Sequence, residues 1–243
     1  MNILLFSDSD RVDDKHIRVS DRRLVHLREV LGAVTGDALR VGLIGGQCGS
    51  GTIVHLDSDH AEIAIALDQP PPAKLPLTLV LALPRPKMLR RILRTIGECG
   101  VRELHLINSY KVEKSFWQSP LLAADTLRDY LLQGLEQASD TVVPAVHLHP
   151  RFKPFAEDLL PTLTTACTAL VAHPGNNQRL PAACPEDTLL VIGPEGGFIP
   201  YEVDKCLAAG CRPVSLGPRV LRVETAVAAS LGTLLAGTVK SPA

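Results

Sequence analysis

Two stretches in the last third of the sequence combine residue types and spacings suited to holding a ligand. Ile192-Gly193-Pro194-Glu195-Gly196-Gly197-Phe198 follows the apolar run Leu189-Leu190-Val191. Leu216-Gly217-Pro218-Arg219-Val220-Leu221-Arg222-Val223-Glu224-Thr225-Ala226 opens a small-residue helix that runs almost to the C-terminus. Each sits where a strand is predicted to end and a helix to begin, the carboxyl edge at which α/β sheets hold ligands. The first loop exposes backbone N–H groups close to a helix predicted to start near Pro200. The second offers Arg219, Arg222 and Glu224 just ahead of a helix N-terminus. A ligand with an adenine, a ribose and a charged amino-acid tail suits such groups. Backbone amides and carbonyls would read the ring edge, and Ile192, Leu216 and Leu221 would wall its faces. Either loop alone reads as an ordinary strand–helix turn; the pair, on adjacent strand ends of one sheet, does not.

Other chemistries find less support. Gly-Pro-Glu-Gly-Gly is not the Gly-x-Gly-x-x-Gly of dinucleotide-binding folds, which argues against a nicotinamide dehydrogenase. No Gly-x-Ser-x-Gly nucleophile elbow is present. His147 and His149 would share one face of a strand, but no carboxylate or Cys completes a ligand set with recognisable spacing, so no metal is expected. The six cysteines are scattered without a Cys-x-x-Cys pair, and Cys206 and Cys211, flanking a helix end, read as reduced core thiols. Net charge is −1, against a general nucleic-acid binder, yet Arg85 to Lys114 holds eight Lys or Arg against three Glu. Within it Arg85 precedes Lys87, Arg90, Arg91 and Arg94, the last four at spacings that put them on one helix face with no acid among them. Such a face fits a phosphate backbone as well as it fits solvent.

These groups need elements to position them. Residues 1–67 read as β-rich: strands near Asn2–Phe6, Ala38–Ile44, Thr52–Leu56 and Ala61–Leu67, a hairpin loop over 45–51, and a helix over Asp21–Leu31 capped by Ser20. Closely spaced short strands suggest a small barrel. Pro70-Pro71-Pro72 and Pro76 mark a boundary between a domain over 1–69 and one over 74–243. After it, strands near Leu77–Leu83, Leu104–Ile107, Val142–Leu148, Ala169–Ala172, Thr188–Ile192 and Pro213–Leu216 alternate with helices. One helix has Leu89, Ile92, Leu93 and Ile96 inward and ends at Gly100. A second runs from Ser119-Pro120 to Ala138, and a third from Pro200 to Ala209. That alternation predicts an α/β fold with a parallel sheet covered on both faces. No apolar run reaches the ~18 residues of a membrane span, and the short apolar N-terminus lacks the basic region of a signal peptide, so a cytoplasmic location is expected.

The two late motifs in tandem closely resemble those of the SPOUT methyltransferases. Among these the chain is most similar to the family that methylates ring nitrogen 3 of a uridine in 16S ribosomal RNA of the small subunit. Weaker similarity extends over His26 to Leu31, Gly36-Asp37, Leu83-Pro84 with Lys87-Met88, Gly97 to Val101, and Glu136-Gln137. The resemblance implies a PUA-like β-barrel that grips RNA, then a SPOUT domain with a deep trefoil knot. It implies S-adenosylmethionine as cofactor and a homodimer with the site at the subunit interface. Carried over, Leu170, His173 and Pro174 approach the cofactor from one strand end. Ile192, Gly193, Pro194, Glu195, Gly196 and Gly197 form the first cofactor loop. Leu216, Gly217, Arg219, Val220, Leu221 and Arg222 form the second. Arg222 is the candidate for stabilising the uracil anion; Glu224 is a candidate base or equally a helix-start residue. Arg85, Lys87, Arg90, Arg91 and Arg94 would meet RNA. The chain departs from the family at Arg85-Pro86-Lys87 and Ala138-Ser139-Asp140-Thr141, regions that would touch RNA or the target base. The alternatives are a paralogue acting on another nucleotide and a non-catalytic RNA-binding protein of the same fold.

Overall fold

The computed structural model describes residues 2–174, 178–184 and 186–237. The chain forms two compact units, Met1–Ala73 with Leu132–Val143, and Lys74–Leu131 with Pro144–Ala243.

The first unit is a five-stranded curled sheet in the order β1-β3-β4-β5-β2. Its strands are β1 (Leu4–Phe6), β2 (His16–Val19), β3 (Ala38–Leu43), β4 (Cys48–Leu56) and β5 (Ala61–Gln69). β1 pairs with β3 in parallel and the remaining pairs are antiparallel. Leu4 and Phe6 from one edge share a core with Ile17 and Val19 from the other, together with Val41, Ile53 and Ile63. Two edges can feed one core only if the sheet curls. The alternate side chains of the first strand region, Ile3 and Leu5, face the opposite way, against Cys48 and Leu135. Leu135 arrives from residues 132–143, whose return to this unit has no local signal in their composition or spacing.

Several expectations change here. β2 was not foreseen, and β4 begins at Cys48, so the predicted 45–51 loop shrinks to the turn over 44–47. The helix predicted from Asp21 is α1 (Arg22–Val25) running into a π turn over His26–Val30. Its cap is Asp21 rather than Ser20, with the Asp21 carboxylate accepting from the Arg23 N–H at 2.8 Å. Asp140 and Thr141 are 3% and 0% exposed, with the Thr141 hydroxyl donating to the Gly46 carbonyl at 2.6 Å. They are packed inside, so the expected contact of this region with RNA or a target base is withdrawn for these two residues.

The second unit holds a six-stranded sheet in the order β11-β9-β10-β6-β7-β8, parallel throughout. The strands are β6 (Leu75–Ala82), β7 (Val101–Ile107), β8 (Ala145–His149), β9 (Thr168–Ala172), β10 (Thr188–Ile192) and β11 (Arg212–Val214). Pro76, read as part of the break, lies inside β6 at an irregularity in its pairing with β7. β10 is buried at every position, which requires cover on both faces. α2 (Pro86–Glu98) buries the predicted Leu89, Ile92, Leu93 and Ile96. α3 (Ala124–Ala138) starts later than Ser119, after a 3-10 turn over Pro120–Leu122. A segment over residues 152–164 passes from α4 (Phe152–Pro154) through a π turn into α5 (Leu160–Thr164). α6 (Pro200–Ala208) and α7 (Val223–Ala236) complete the unit, with α7 packed on α2 and β10. No described helix is long and apolar enough to cross a membrane.

Candidate active site

β9, β10 and β11 are adjacent in the sheet, so the segments leaving their carboxyl ends converge. Between them lies a cavity of about 720 Å³, within the ~300–1,000 Å³ of small-molecule sites. Of the predicted cofactor residues, His173, Pro174, Ile192, Gly193, Pro194, Glu195, Gly196, Gly197, Leu216, Gly217, Arg219, Val220 and Leu221 line it. Leu170 does not: it is 1% exposed inside β9, and Ala172, two residues further along the same strand, lines the cavity instead. Arg222 and Glu224 are also outside the lining; Arg222 is exposed as the N-cap of α7, and Glu224 sits in that helix's first turn. Ala172, Arg179, Phe198, Ser215, Pro218, Val223 and Ala226 line the cavity without having been assigned to the cofactor. Phe198 and Ser215 directly adjoin the predicted loops and were within reach of that reasoning. Arg179 is brought by a bridge to Ser215, which nothing in its local sequence signals.

Both loops are tied down by other elements. In the first, the Gly197 N–H donates to the Pro194 carbonyl at 2.8 Å to close a turn. The Arg85 N–H donates to the Glu195 carboxylate at 3.3 Å, and the Lys111 ammonium to the Gly196 carbonyl at 2.6 Å. Where the loop enters α6, Glu202 is 2% exposed and its carboxylate accepts three donors. These are the Ile199 N–H at 3.0 Å, the Ser109 hydroxyl at 3.1 Å and the Tyr110 N–H at 2.7 Å. The segments after β6 and β7 thus brace the first loop from outside the cavity. In the second loop, Gly217 has φ +126°, a conformation that side-chain-bearing residues rarely adopt. It lets the Ser215 hydroxyl accept from the Gly217 N–H at 3.2 Å, turning the chain towards α7. Ile192, Leu216 and Leu221 give the cavity apolar wall, while His173, Arg179, Glu195 and Arg219 give it polar groups. The six cysteines are all free; burial pushes Cys206 and Cys211 up to about 12, as expected for inert core thiols.

On α2, Lys87, Arg90 and Arg91 are exposed together, and Arg85 is exposed just before the helix. Arg94 is half-buried, its guanidinium 4.9 Å from the centre of the Tyr130 ring. The basic face predicted from spacing therefore exists, with Arg94 engaged at its margin.

Residues 71–235 match the family model described as RNA methyltransferase domain, more than half of the chain. The chain belongs to this RNA methyltransferase family. Among curated relatives, the ribosomal RNA small subunit methyltransferase E of Treponema pallidum is 32% identical over 97% of this chain and 91% of its own length. The protein of the same name from Synechocystis is 25% identical over 93% of this chain and 74% of its own. Among solved structures, a putative methyltransferase from Legionella pneumophila, in complex with S-adenosylmethionine, superposes with a TM-score of 0.76 at 21% identity, covering 97% of both chains. Ribosomal RNA small subunit methyltransferase E of Neisseria gonorrhoeae, bound to the same cofactor, gives 0.75 at 20% identity over 94% of this chain and 95% of its own. At that identity the two structures establish the fold of this RNA methyltransferase family member.

Proposed function

We propose that the protein transfers a methyl group from S-adenosylmethionine to N3 of a uridine in 16S ribosomal RNA, acting in the cytoplasm as a homodimer. The observation that carries this reading is the cavity itself, in which thirteen residues picked out from the two loops and the β9 end come together. Its size and its mixture of apolar wall and charge suit a nucleoside carrying an amino-acid tail. Residues 1–69, which make up most of the first unit, act as a PUA-like RNA-gripping domain, and residues 74–243 as the SPOUT catalytic domain. A deep trefoil knot is in keeping with two long-range approaches of segment 178–183: Arg179 bridges to Ser215, and Gly237 lies against Ala182 and Ala183.

S-adenosylmethionine supplies an electrophilic methyl carbon, so the protein's tasks are alignment and the handling of one proton. The two loops hold the cofactor through backbone groups. The uracil ring nitrogen is a poor nucleophile while protonated. Arg222, exposed at the start of α7, stabilises the anion through the base's carbonyl oxygens. Glu224 serves either as the proton acceptor or as the acid that favours the α7 N-terminus. Unstacking the target base costs a few kcal/mol, which phosphate contacts from Arg85, Lys87, Arg90, Arg91 and Arg94 offset. The test is methyl transfer to assembled small subunits and to naked RNA, with mapping of the modified base. Modification at N3 of one uridine is the expected result. Absence of cofactor binding at millimolar concentration would instead identify a non-catalytic RNA-binding protein. Replacing Arg222 with Ala should depress turnover far more than cofactor affinity; equal loss of both would move Arg222 to cofactor binding.

A further inference from the structure

Away from the cavity, β7 and β8 bring four titratable side chains together. Glu103 and His105 are two residues apart on β7 and therefore share a face. Register places His105 opposite His147 and Ile107 opposite His149. Glu103 Oε1 lies 2.8 Å from His147 Nε2 and 3.2 Å from His105 Nε2. His105 Nδ1 lies 2.9 Å from His149 Nε2. The His105 side chain is 3% exposed, with Phe155 packed against the His105 and His149 rings, while His147 is 45% exposed. Spacing along the chain does not reveal a carboxylate for His147 and His149, because Glu103 comes from the neighbouring strand.

Hydrogen bonding leaves a gap at the centre of this group. A neutral imidazole has one N–H and one lone pair. When His105 donates its Nδ1–H to His149, its Nε2 is left as a lone pair beside the Glu103 carboxylate. That buried Nε2 has no partner of hydrogen-bonding geometry, although the carboxylate is within reach by distance. Nitrogen atoms of His105 and His147 and an oxygen of Glu103 lie within 4.8 Å of one another. Three electron-pair donors facing one another repel unless a cation, whether a metal ion or a proton on one of the two nitrogens, sits between them.

We propose that Glu103, His105 and His147 bind one divalent first-row transition ion, Zn²⁺ being the best match. His149 would act as the outer acceptor that fixes the His105 tautomer. Two imidazoles and a carboxylate are a recurring zinc ligand set, and a ligating histidine ordinarily donates its other N–H to a fixed acceptor. The Glu103 oxygen, at 2.8 and 3.2 Å from the two imidazole nitrogens, needs to move by only a few tenths of an ångström to reach the roughly 3.3 Å that bonds of about 2.0–2.2 Å span in a tetrahedral site. Exposure at His147 leaves a fourth position for water. None of the four residues lines the cofactor cavity. The ion would fasten edge strand β8 to β7 rather than take part in methyl transfer.

The test uses the full chain stripped with a chelator and then titrated with Zn²⁺ against a chromophoric competitor. Co²⁺ is the spectroscopic probe of the ligand set. One ion per chain is expected, with affinity reduced at least tenfold by Glu103→Gln and by the exposed substitution His147→Ala. His149→Ala should weaken binding by about tenfold, the usual cost of removing an outer hydrogen-bond partner. His60→Ala is the control, because His55, Asp57 and His60 form the other cluster able to hold an ion among the described residues. Circular dichroism establishes that each variant is folded. The proposal is overturned by absence of stoichiometric binding, by binding that survives both Glu103→Gln and His147→Ala, or by binding lost in His60→Ala alone.

Discussion

Glu202→Gln tests whether the first loop is held in place by the buried carboxylate beneath it. Glu202 accepts from Ile199, Ser109 and Tyr110 through its two oxygens, while Gln offers one oxygen and an NH₂ group. With the amide oxygen in the Oε2 position, the Ile199 and Ser109 bonds survive and the NH₂ meets the Tyr110 N–H. Flipped, the Tyr110 bond survives and the NH₂ meets the Ile199 N–H, while the Ser109 hydroxyl can turn to accept. Either way one backbone N–H faces a donor. One unpaired buried donor costs about 1–3 kcal/mol. At about 2 kcal/mol, and about 2–4 °C per kcal/mol for a chain of this size, Tm should fall by about 4–8 °C. Glu202→Ala loses all three bonds and should cost about 3–5 kcal/mol once water recovers part of the loss. Because Ile199 ends the first loop, S-adenosylmethionine binding should weaken severalfold in both variants. Thermal melts followed by circular dichroism, with calorimetry for the cofactor, measure these effects. A Glu202→Gln Tm within about 1 °C of the parent would refute the reasoning, since even one kcal/mol must show as about 2 °C.

Three other perturbations bear on the cofactor loop, the RNA face and the first unit. Gly217→Ala puts a Cβ where no atom lies within 4 Å, so only the φ of +126° resists it. Strain of about 1–3 kcal/mol should appear as at least fivefold weaker cofactor binding by calorimetry, and unchanged affinity would show that the loop relaxes freely. Replacing Arg90 and Arg91 with Ala should weaken RNA binding and flatten its log–log salt dependence by about one unit for each phosphate no longer neutralised. Weaker binding with an unchanged slope would exclude phosphate recognition there. Asp10 is raised by burial but held below its usual range overall by hydrogen bonds from the Arg23 guanidinium and from Ser7. A depressed carboxylate stabilises the fold above its unfolded-state value near 4, and the contribution disappears as pH falls through the lower folded value. Melting temperature should therefore drop more steeply below about pH 4 in the parent than in Asp10→Asn; parallel curves would remove Asp10 from the acid response.

The parallel sheet was legible because its central strands are buried on both faces and read as unbroken apolar runs, as in Leu189-Leu190-Val191. The cavity was legible because both of its main loops are local in sequence and adjoin such runs. β2 escaped because His16-Ile17-Arg18-Val19, although it alternates polar and apolar residues, is an edge strand of only four residues, too short a run for the alternation to stand out. The start of β4 escaped because its glycines resemble a loop. Gly49 instead lies so close to β5 that a Cβ would come within 1.8 Å of the Ala66 carbonyl oxygen, an approach invisible without the partner strand. Arg179 and Glu103 were missed for a common reason. Arg179 meets Ser215, 36 positions on, and Glu103 meets His147, 44 positions on, each brought near by the sheet rather than by spacing along the chain.

The return of residues 132–143 to the first unit bears on how the protein is made. A ribosome emits the N-terminal strands first, at about 5–20 residues per second. Yet Ile3 and Leu5 cannot cover their outer face until Leu135 has been synthesised, and the Arg22 guanidinium waits equally long for the Glu136 carboxylate that it meets at 3.0 Å. Between those moments β6, α2, β7 and most of α3 emerge without the partners β10 and β8. The nascent chain must therefore carry two unfinished sheets at once, and cutting it at the prolines would leave the first permanently unfinished. An N-terminal piece that keeps its own cover requires residues 132–143 to be grafted back onto it.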